Sequence, residues 1–193
     1  MNSGYLYVVN KLKFVNEAII SAKSVRQFSK LPIAIVCTQE LATGEVYSFF
    51  DSVIINLEIN NYTYLSKIIG IQNSPFDRTI FLDSDTFVCA DIQPLFEVLD
   101  MVDITTTQES SYHTGDIALK YRDLIPEFNS GVIVIKKNIA TDKVLLDWLN
   151  VCIDNNIKND MPGLREALFR NFSDIKYFVL PQEFNSHGYA SML

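Results

Sequence analysis

Asp83 and Asp85 stand one residue apart where an apolar run ends, in the stretch TIFLDSDTFV of residues 79–88. In an extended backbone residues i and i+2 face the same way, so the two carboxylates are expected to project together from a strand end while Ser84 points away. Carboxylates held this close repel one another unless a cation lies between them. Hard dications such as Mg²⁺ and Mn²⁺ take oxygen ligands of this kind. The same residues also read as a solvated acidic turn without chemistry, so the elements around the pair have to decide.

Those elements alternate. Residues 5–9 form a short β-rich run, and residues 14–28 carry Phe14, Val15, Ala18, Ile19, Ala22 and Val25 at close to helical spacing. Residues 31–37, LPIAIVC, are a continuous apolar run opened by proline, which predicts a strand buried on both faces. A third strand is expected at 52–55, a helix at 63–72, and a fourth strand at 78–82 that runs into Asp83. This order predicts an α/β fold with a mainly parallel central sheet flanked by helices. Ligands of such sheets bind outside the carboxyl ends of the strands, where the acidic pair lies.

Further along, residues 91–99 read as a short helix with Pro94 near its first turn, and 102–106 as a strand. Periodicity lapses over 107–127, which reads as a long loop of the kind that binds ligands or lacks order. It resumes in FNSGVIVIK, residues 128–136. Asn129, Ser130 and Gly131 open this buried strand, where polar groups are costly unless hydrogen-bonded and glycine permits close backbone approach. Helices are expected at 138–156 and 160–171, with a last strand at 176–180.

Composition bounds the function. The 193 residues fit one domain, residues 1–193, and are ordinary for a globular protein at 48% hydrophobic and 20% charged. A formal net charge of −7 with scattered Lys and Arg argues against nucleic acid or an anionic membrane surface as partner. Cys37, Cys89 and Cys152 are odd in number and lie in apolar segments, which predicts buried free thiols and a reducing compartment. No charged leader region or run of 18 apolar residues is present, so a cytoplasmic protein with no integral membrane segment is expected.

Taken in order, FLDSDTFV, FNSGVIVI, DMPGLREAL and LPQEFN span nearly the whole chain and resemble the nucleotide-diphospho-sugar glycosyltransferases of the GT-A fold, in particular the glycogenin-like and lipopolysaccharide galactosyl- or glucosyltransferase family. The resemblance implies transfer of a hexose from a nucleotide-diphosphate sugar, with uracil the usual base, assisted by Mn²⁺ or Mg²⁺. It makes Asp83 and Asp85 the metal ligands and diphosphate anchor, with Ser84 between them. Lys67, off the apolar stripe of Leu65, Ile68 and Ile69, resembles a lysine that approaches the donor phosphates. Asn129, Ser130 and Gly131 are placed beside the donor sugar, and Val9, with Val8 and Asn10, seats the base through its backbone. The acceptor, whether a glycan, a lipid-linked group or a protein, is unassigned, and the 107–127 loop is expected to help bind it.

The chain also departs from the family. The family follows the aspartate at the position of Asp160 with glutamine, near the sugar and acceptor; here Met161 follows, which leaves the donor sugar unassigned. Asp160 itself reads either as that functional residue or as a helix cap. Arg165 and Glu166 read equally as an exposed intrahelical pair, and Arg78 as a solvated charge beside the strand. The histidine that supplies a further metal ligand in the family is missing before Leu193; His187 falls too soon after Asn185 to replace it comfortably, and His113 lies in the long loop. Either waters and donor phosphates complete the metal shell, or the family's C-terminal segment is lacking. The departures keep open a catalytically impaired nucleotide-sugar-binding domain of the same fold. A phosphohydrolase of the haloacid dehalogenase type is disfavoured by Phe87 and by the pair's late place in the chain.

Overall fold

The computed structural model describes residues 1–61, 64–109, 126–157 and 159–186. The chain runs β1 (Ser3–Val8), α1 (Leu12–Val25), β2 (Ile33–Cys37), α2 (Gly44–Phe49), β3 (Ser52–Ile55), α3 (Ser66–Gln72), β4 (Arg78–Leu82), α4 (Leu95–Val98), β5 (Ile104–Gln108), β6 (Phe128–Lys136), α5 (Ile139–Asp154), α6 (Met161–Arg170) and β7 (Tyr177–Leu180). The strands form one seven-stranded sheet in the order β3-β2-β1-β4-β6-β5-β7. Pairing is parallel across β3, β2, β1 and β4 and between β5 and β7, and antiparallel on both sides of β6. The α/β architecture is as expected, but the sheet is mixed: β6 alone runs against the other six. The acidic pair and the Asn-Ser-Gly segment therefore meet, because the end of β4 lies beside the start of β6.

Both faces of the sheet are covered, which explains the unbroken apolar runs. Tyr5, Tyr7, Ile80, Leu82, Val132 and Val134 pack on one side with residues of α1, α2 and α4. Leu6, Phe81, Ile133 and Ile135 point to the other side, against α3, α5 and α6, with Trp148 and Leu164 among their neighbours. Successive residues of β1, β4 and β6 alternate between the two cores, as the strand period of two requires.

Several boundaries move. The helix expected at 63–72 is α3, Ser66–Gln72, and Thr107 and Gln108, assigned above to the loop, belong to β5. Of the rest of that loop, residues 110–125, His113 among them, lie outside the described residues, as does His187. Helix α2 was not expected, and a 3₁₀ turn at Gln182–Asn185 follows β7. Cys37 and Cys152 are buried free thiols, whereas Cys89 is exposed: it lies in a loop past the strand end, where Val88 turns into the core and Cys89 and Ala90 face outward. Arg165 is buried, not half of an exposed pair, and Glu166 pairs one turn on with Arg170 at 2.9 Å. Arg78 is part-buried, donating to the Phe96 carbonyl at 3.1 Å and pairing with Asp100.

Candidate active site

The acidic pair does not continue the strand. β4 ends at Leu82, and residues 83–86 fold into a turn in which the Thr86 amide donates to the Asp83 carbonyl at 3.1 Å. The same-face projection expected of extended backbone therefore does not hold. Asp83 turns inward toward α3, and Asp85 stands exposed at the rim of the cleft. The Ser84 hydroxyl reaches Glu17 of α1 at 3.2 Å.

Lys67 organises the floor. It sits in the first turn of α3, which lies flush on β1: a Cβ on Gly70 would come within 2.2 Å of Val8. That close approach carries the lysine under the sheet end. Its ammonium is 3.0 Å from each carboxylate oxygen of Asp83, 3.1 Å from the Ser130 hydroxyl and 3.8 Å from Asp160, and it lies over the Phe81 ring. Only 9% of the residue is exposed, so this is a buried, paired lysine and not a surface charge. Burial alone would lower the Lys67 pKa, but the Asp160 and Asp83 carboxylates outweigh it and hold the ammonium above the usual lysine value. Burial pushes the Asp83 carboxyl up; Lys67 opposes the shift, and Asp160 and Asp85 add to it.

Asp160 precedes α6 but makes no capping bond with its side chain; Asn159 accepts from the Met161 amide at 3.1 Å instead. The Asp160 carbonyl is held by the buried indole of Trp148 at 2.8 Å. Its Oδ2 is buried and, among the described residues, accepts no hydrogen bond, with the Lys67 ammonium 3.8 Å away. A buried carboxylate oxygen left in this state is costly unless a ligand completes it.

Asn129, Ser130 and Gly131 occupy a bulge. The β5–β6 register jumps from Thr106 opposite Ile133 to Thr107 opposite Asn129, and the Thr106 hydroxyl bridges the carbonyls of Asn129 and Val132. Bulges re-aim side chains, and here Ser130 meets Lys67 while the Asn129 amide group donates to Glu109 at 2.7 Å. The Asn129 side-chain oxygen, Oδ1, accepts from the Gly131 amide at 2.8 Å and from the Asn185 side-chain amide. Gly131 lets these side chains close in: a Cβ there would lie 2.9 Å from the Asn185 side-chain nitrogen, 3.1 Å from Asn129 Oδ1 and 3.4 Å from an Asp83 carboxylate oxygen, so the two amides would have to shift to admit it. Its carbonyl receives the Asp83 amide at 2.8 Å, joining the two motifs directly.

A cleft lined by Val8, Asn10, Phe14, Tyr64, Lys67 and Asp83 opens above this floor, with Ser84 and Asp85 on its wall. Val9, expected to seat the base, points its side chain into the core and gives its amide to the Val36 carbonyl at 2.9 Å, and its neighbours Val8 and Asn10 line the cleft instead. A second, larger cleft of about 730 Å³ runs from Asp85 past Phe87 and Ile92 to Phe184. Glu109 and Asn185 were not singled out from sequence. The usable signal was position: Glu109 follows a strand at its carboxyl end, and Asn185 closes LPQEFN.

No family model matches the sequence, and no curated protein matches it. Solved structures do resemble the fold. The glycosyltransferase GlyE of Streptococcus pneumoniae TIGR4 aligns with a TM-score of 0.67 at 17% identity, over 96% of this chain and 46% of its own, so the chain spans about half of that relative. The galactosyltransferase LgtC, solved with donor and acceptor sugar analogs, aligns at 0.56 and 14% identity over 90% of this chain and 72% of its own. A candidate nucleotide-diphospho-sugar transferase from Desulfovibrio desulfuricans G20 aligns at 0.55 and 12% identity, over 94% and 80% respectively. The fold is therefore that of the GT-A glycosyltransferases, with the acidic turn, Lys67 and the Asn-Ser-Gly bulge gathered at the carboxyl edge of its sheet.

Proposed function

We propose that the chain is a glycosyltransferase domain that moves a hexose from a nucleotide-diphosphate sugar, with uridine the expected nucleoside, to an acceptor hydroxyl. The observation that carries this reading is the charge balance at the cleft. Two carboxylates, Asp83 and Asp160, pair with the ammonium of Lys67, and Asp85 at the rim adds its charge from further away. A diphosphate would be repelled from this floor on its own, whereas a dication brought with it would be drawn in.

The donor set fits Mn²⁺ or Mg²⁺ in kind, since Asp83 and Asp85 offer only oxygen. Among the described residues no group of three or more potential metal-ligating side chains occurs, so waters and the diphosphate itself would complete the shell. When bound, such an ion would neutralise the charge that develops on the leaving diphosphate. The chain's own residues do the rest. Lys67 holds Asp83 in place and presents a fixed positive charge at the cleft floor. Asn129, held by Glu109 and Asn185, and Gly131 shape the place for the donor sugar, and the unbonded oxygen of Asp160 accepts from a sugar or acceptor hydroxyl. Val8 to Asn10 offer the nucleoside a wall of backbone.

A thermal-shift panel of nucleotide sugars with and without Mn²⁺ tests the reading. A shift is expected for a uridine-diphosphate sugar only when Mn²⁺ is present. No metal-dependent shift with any donor would overturn the proposal.

A further inference from the structure

Helix α1 does more than cover one face of the sheet. The Tyr7 hydroxyl on β1 lies 2.8 Å from Ser21 Oγ on α1, Ser21 Oγ lies 2.8 Å from Thr86 Oγ1, and Thr86 Oγ1 donates to the Asp83 carbonyl at 2.9 Å. A hydroxyl has a single proton to donate. Thr86 directs its proton at Asp83, so it must accept from Ser21, and Ser21 in turn must accept from Tyr7. The chain of hydroxyls therefore runs one way and ends on the residue that begins the acidic turn. Bonds aligned like this polarise one another in a low-dielectric interior.

A second arm grips the far side of the same loop. Ser24, one turn along α1 from Ser21, donates to the Ser21 carbonyl at 2.6 Å and accepts the Val88 amide at 2.8 Å. Tyr7, Ser21 and Ser24 are fully buried in an otherwise apolar layer. Hydroxyls this deep gain little net stability over apolar side chains of the same shape. What they do achieve is directional: Asp83 through Val88 cannot rotate relative to α1 while both arms hold.

We propose that Tyr7, Ser21 and Thr86 are positioning residues that aim the Asp83–Asp85 turn into the cleft and so set its affinity for a divalent cation with a nucleoside diphosphate. This rests on the reading of the cleft given above. None of the three lines the donor cleft, and they act through the backbone of the turn.

The test compares Thr86→Val, which keeps the shape and removes the hydroxyl, with Thr86→Ser, which restores it, in the 193-residue chain. Mn²⁺ binding in the presence of UDP is followed by electron paramagnetic resonance, amide hydrogen exchange over residues 83–88 by mass spectrometry, and the melting temperature as a check on the fold. Thr86→Val should weaken Mn²⁺ and UDP about tenfold, as expected when a site is misplaced by a fraction of an ångström, and speed exchange in the turn. Thr86→Ser should stay within about twofold of wild type on both readouts. Should Thr86→Val not fold, Tyr7→Phe, which removes only the head of the chain, should weaken binding about threefold. Unchanged binding in a folded Thr86→Val, or equal damage from Thr86→Ser, overturns the inference. If wild type itself binds no Mn²⁺ with UDP, the functional reading falls; the exchange data then decide the clamp alone, and wild-type exchange rates in Thr86→Val would reject it.

Discussion

The ammonium of Lys67 stands 3.0 Å from both carboxylate oxygens of Asp83, although the two residues lie 16 positions apart, one on α3 and the other just past the end of β4. One cation thus offsets a buried acidic cluster in the free protein, and under the proposed function it would also be the fixed positive charge that a diphosphate meets in the cleft. Lys67→Met keeps the aliphatic stem and deletes the charge. It leaves Asp83 and Asp160 without a counter-ion, so a loss of about 3 kcal/mol in urea unfolding is expected, together with loss of the donor-induced thermal shift. A variant as stable as wild type would show that the lysine does not balance the cluster.

Asp85 should behave oppositely. It is exposed and, among the described residues, makes no bond comparable to those of Asp83, so Asp85→Ala should change stability by no more than about 0.5 kcal/mol. The same change should abolish Mn²⁺-dependent donor binding, because it removes half of the chain's own carboxylate pair. Retained metal dependence by calorimetry would take Asp85 out of the site.

How much of this was legible in the sequence follows from where the physics is local. The bounds of β4 and β6 could be read to the residue because their apolar runs are cut off sharply by Arg78, Asp83 and Lys136. The acidic turn was misjudged as extended, since side-chain alternation says nothing about where a strand stops. The depth of Lys67 was hidden for a different reason: a lysine is buried only when paired, and its partners Asp83 and Asp160 reach it through tertiary folding. Helix α2 is too short, and too rich in aromatic and small residues, to show a helical period. The register jump that makes the Asn129–Gly131 bulge depends on the neighbouring strand and leaves no mark on FNSGVIVIK beyond its glycine.

That glycine offers a precise steric test. In Gly131→Ala the new Cβ meets Asn185 at 2.9 Å and Asn129 at 3.1 Å, and both amides belong to the network that ends on Glu109. Displacing them should cost about 1–3 kcal/mol and reduce sugar transfer about tenfold or more. Donor binding measured with the nucleoside diphosphate alone should suffer less, because the new Cβ comes nearer to Asn185 and Asn129 than to Asp83, the proposed diphosphate anchor. Equal losses for the whole donor and for the nucleoside diphosphate would argue against a place for the sugar at the bulge.

Acid should weaken the sheet at one identifiable carboxylate away from the cleft. Asp103 accepts from the Lys176 amide at 2.8 Å and from Asn138 at 2.9 Å, and pairs with Lys136 at 3.1 Å, tying the start of β5 to β6 and β7. Burial alone would raise its pKa, but these bonds outweigh burial and hold the carboxyl below the usual range. A depressed folded-state pKa gives stability that is present above the unfolded value of about 3.9 and is lost as pH falls through the folded value. Asp103→Asn should therefore be about 1–2 kcal/mol less stable than wild type at neutral pH, with the gap closing as the pH is lowered below about 4. A gap of constant size in urea titrations across that range would contradict the assignment.

Asp160 separates binding from transfer. Its Oδ2 is buried beside Lys67 and, among the described residues, accepts no hydrogen bond, while the Trp148 indole fixes its backbone from behind, so the side chain is placed to accept from a hydroxyl of a bound sugar. Asp160→Asn keeps the volume and removes the charge. The Mn²⁺-dependent thermal shift with donor should survive, since Asp83, Asp85 and Lys67 remain, while the rate of sugar transfer or donor hydrolysis should fall about a hundredfold. Wild-type protein that binds donor with metal yet shows no turnover would identify a binding domain, and Asp160→Asn would then alter only donor affinity; a variant that turns over at the wild-type rate would remove Asp160 from the reaction.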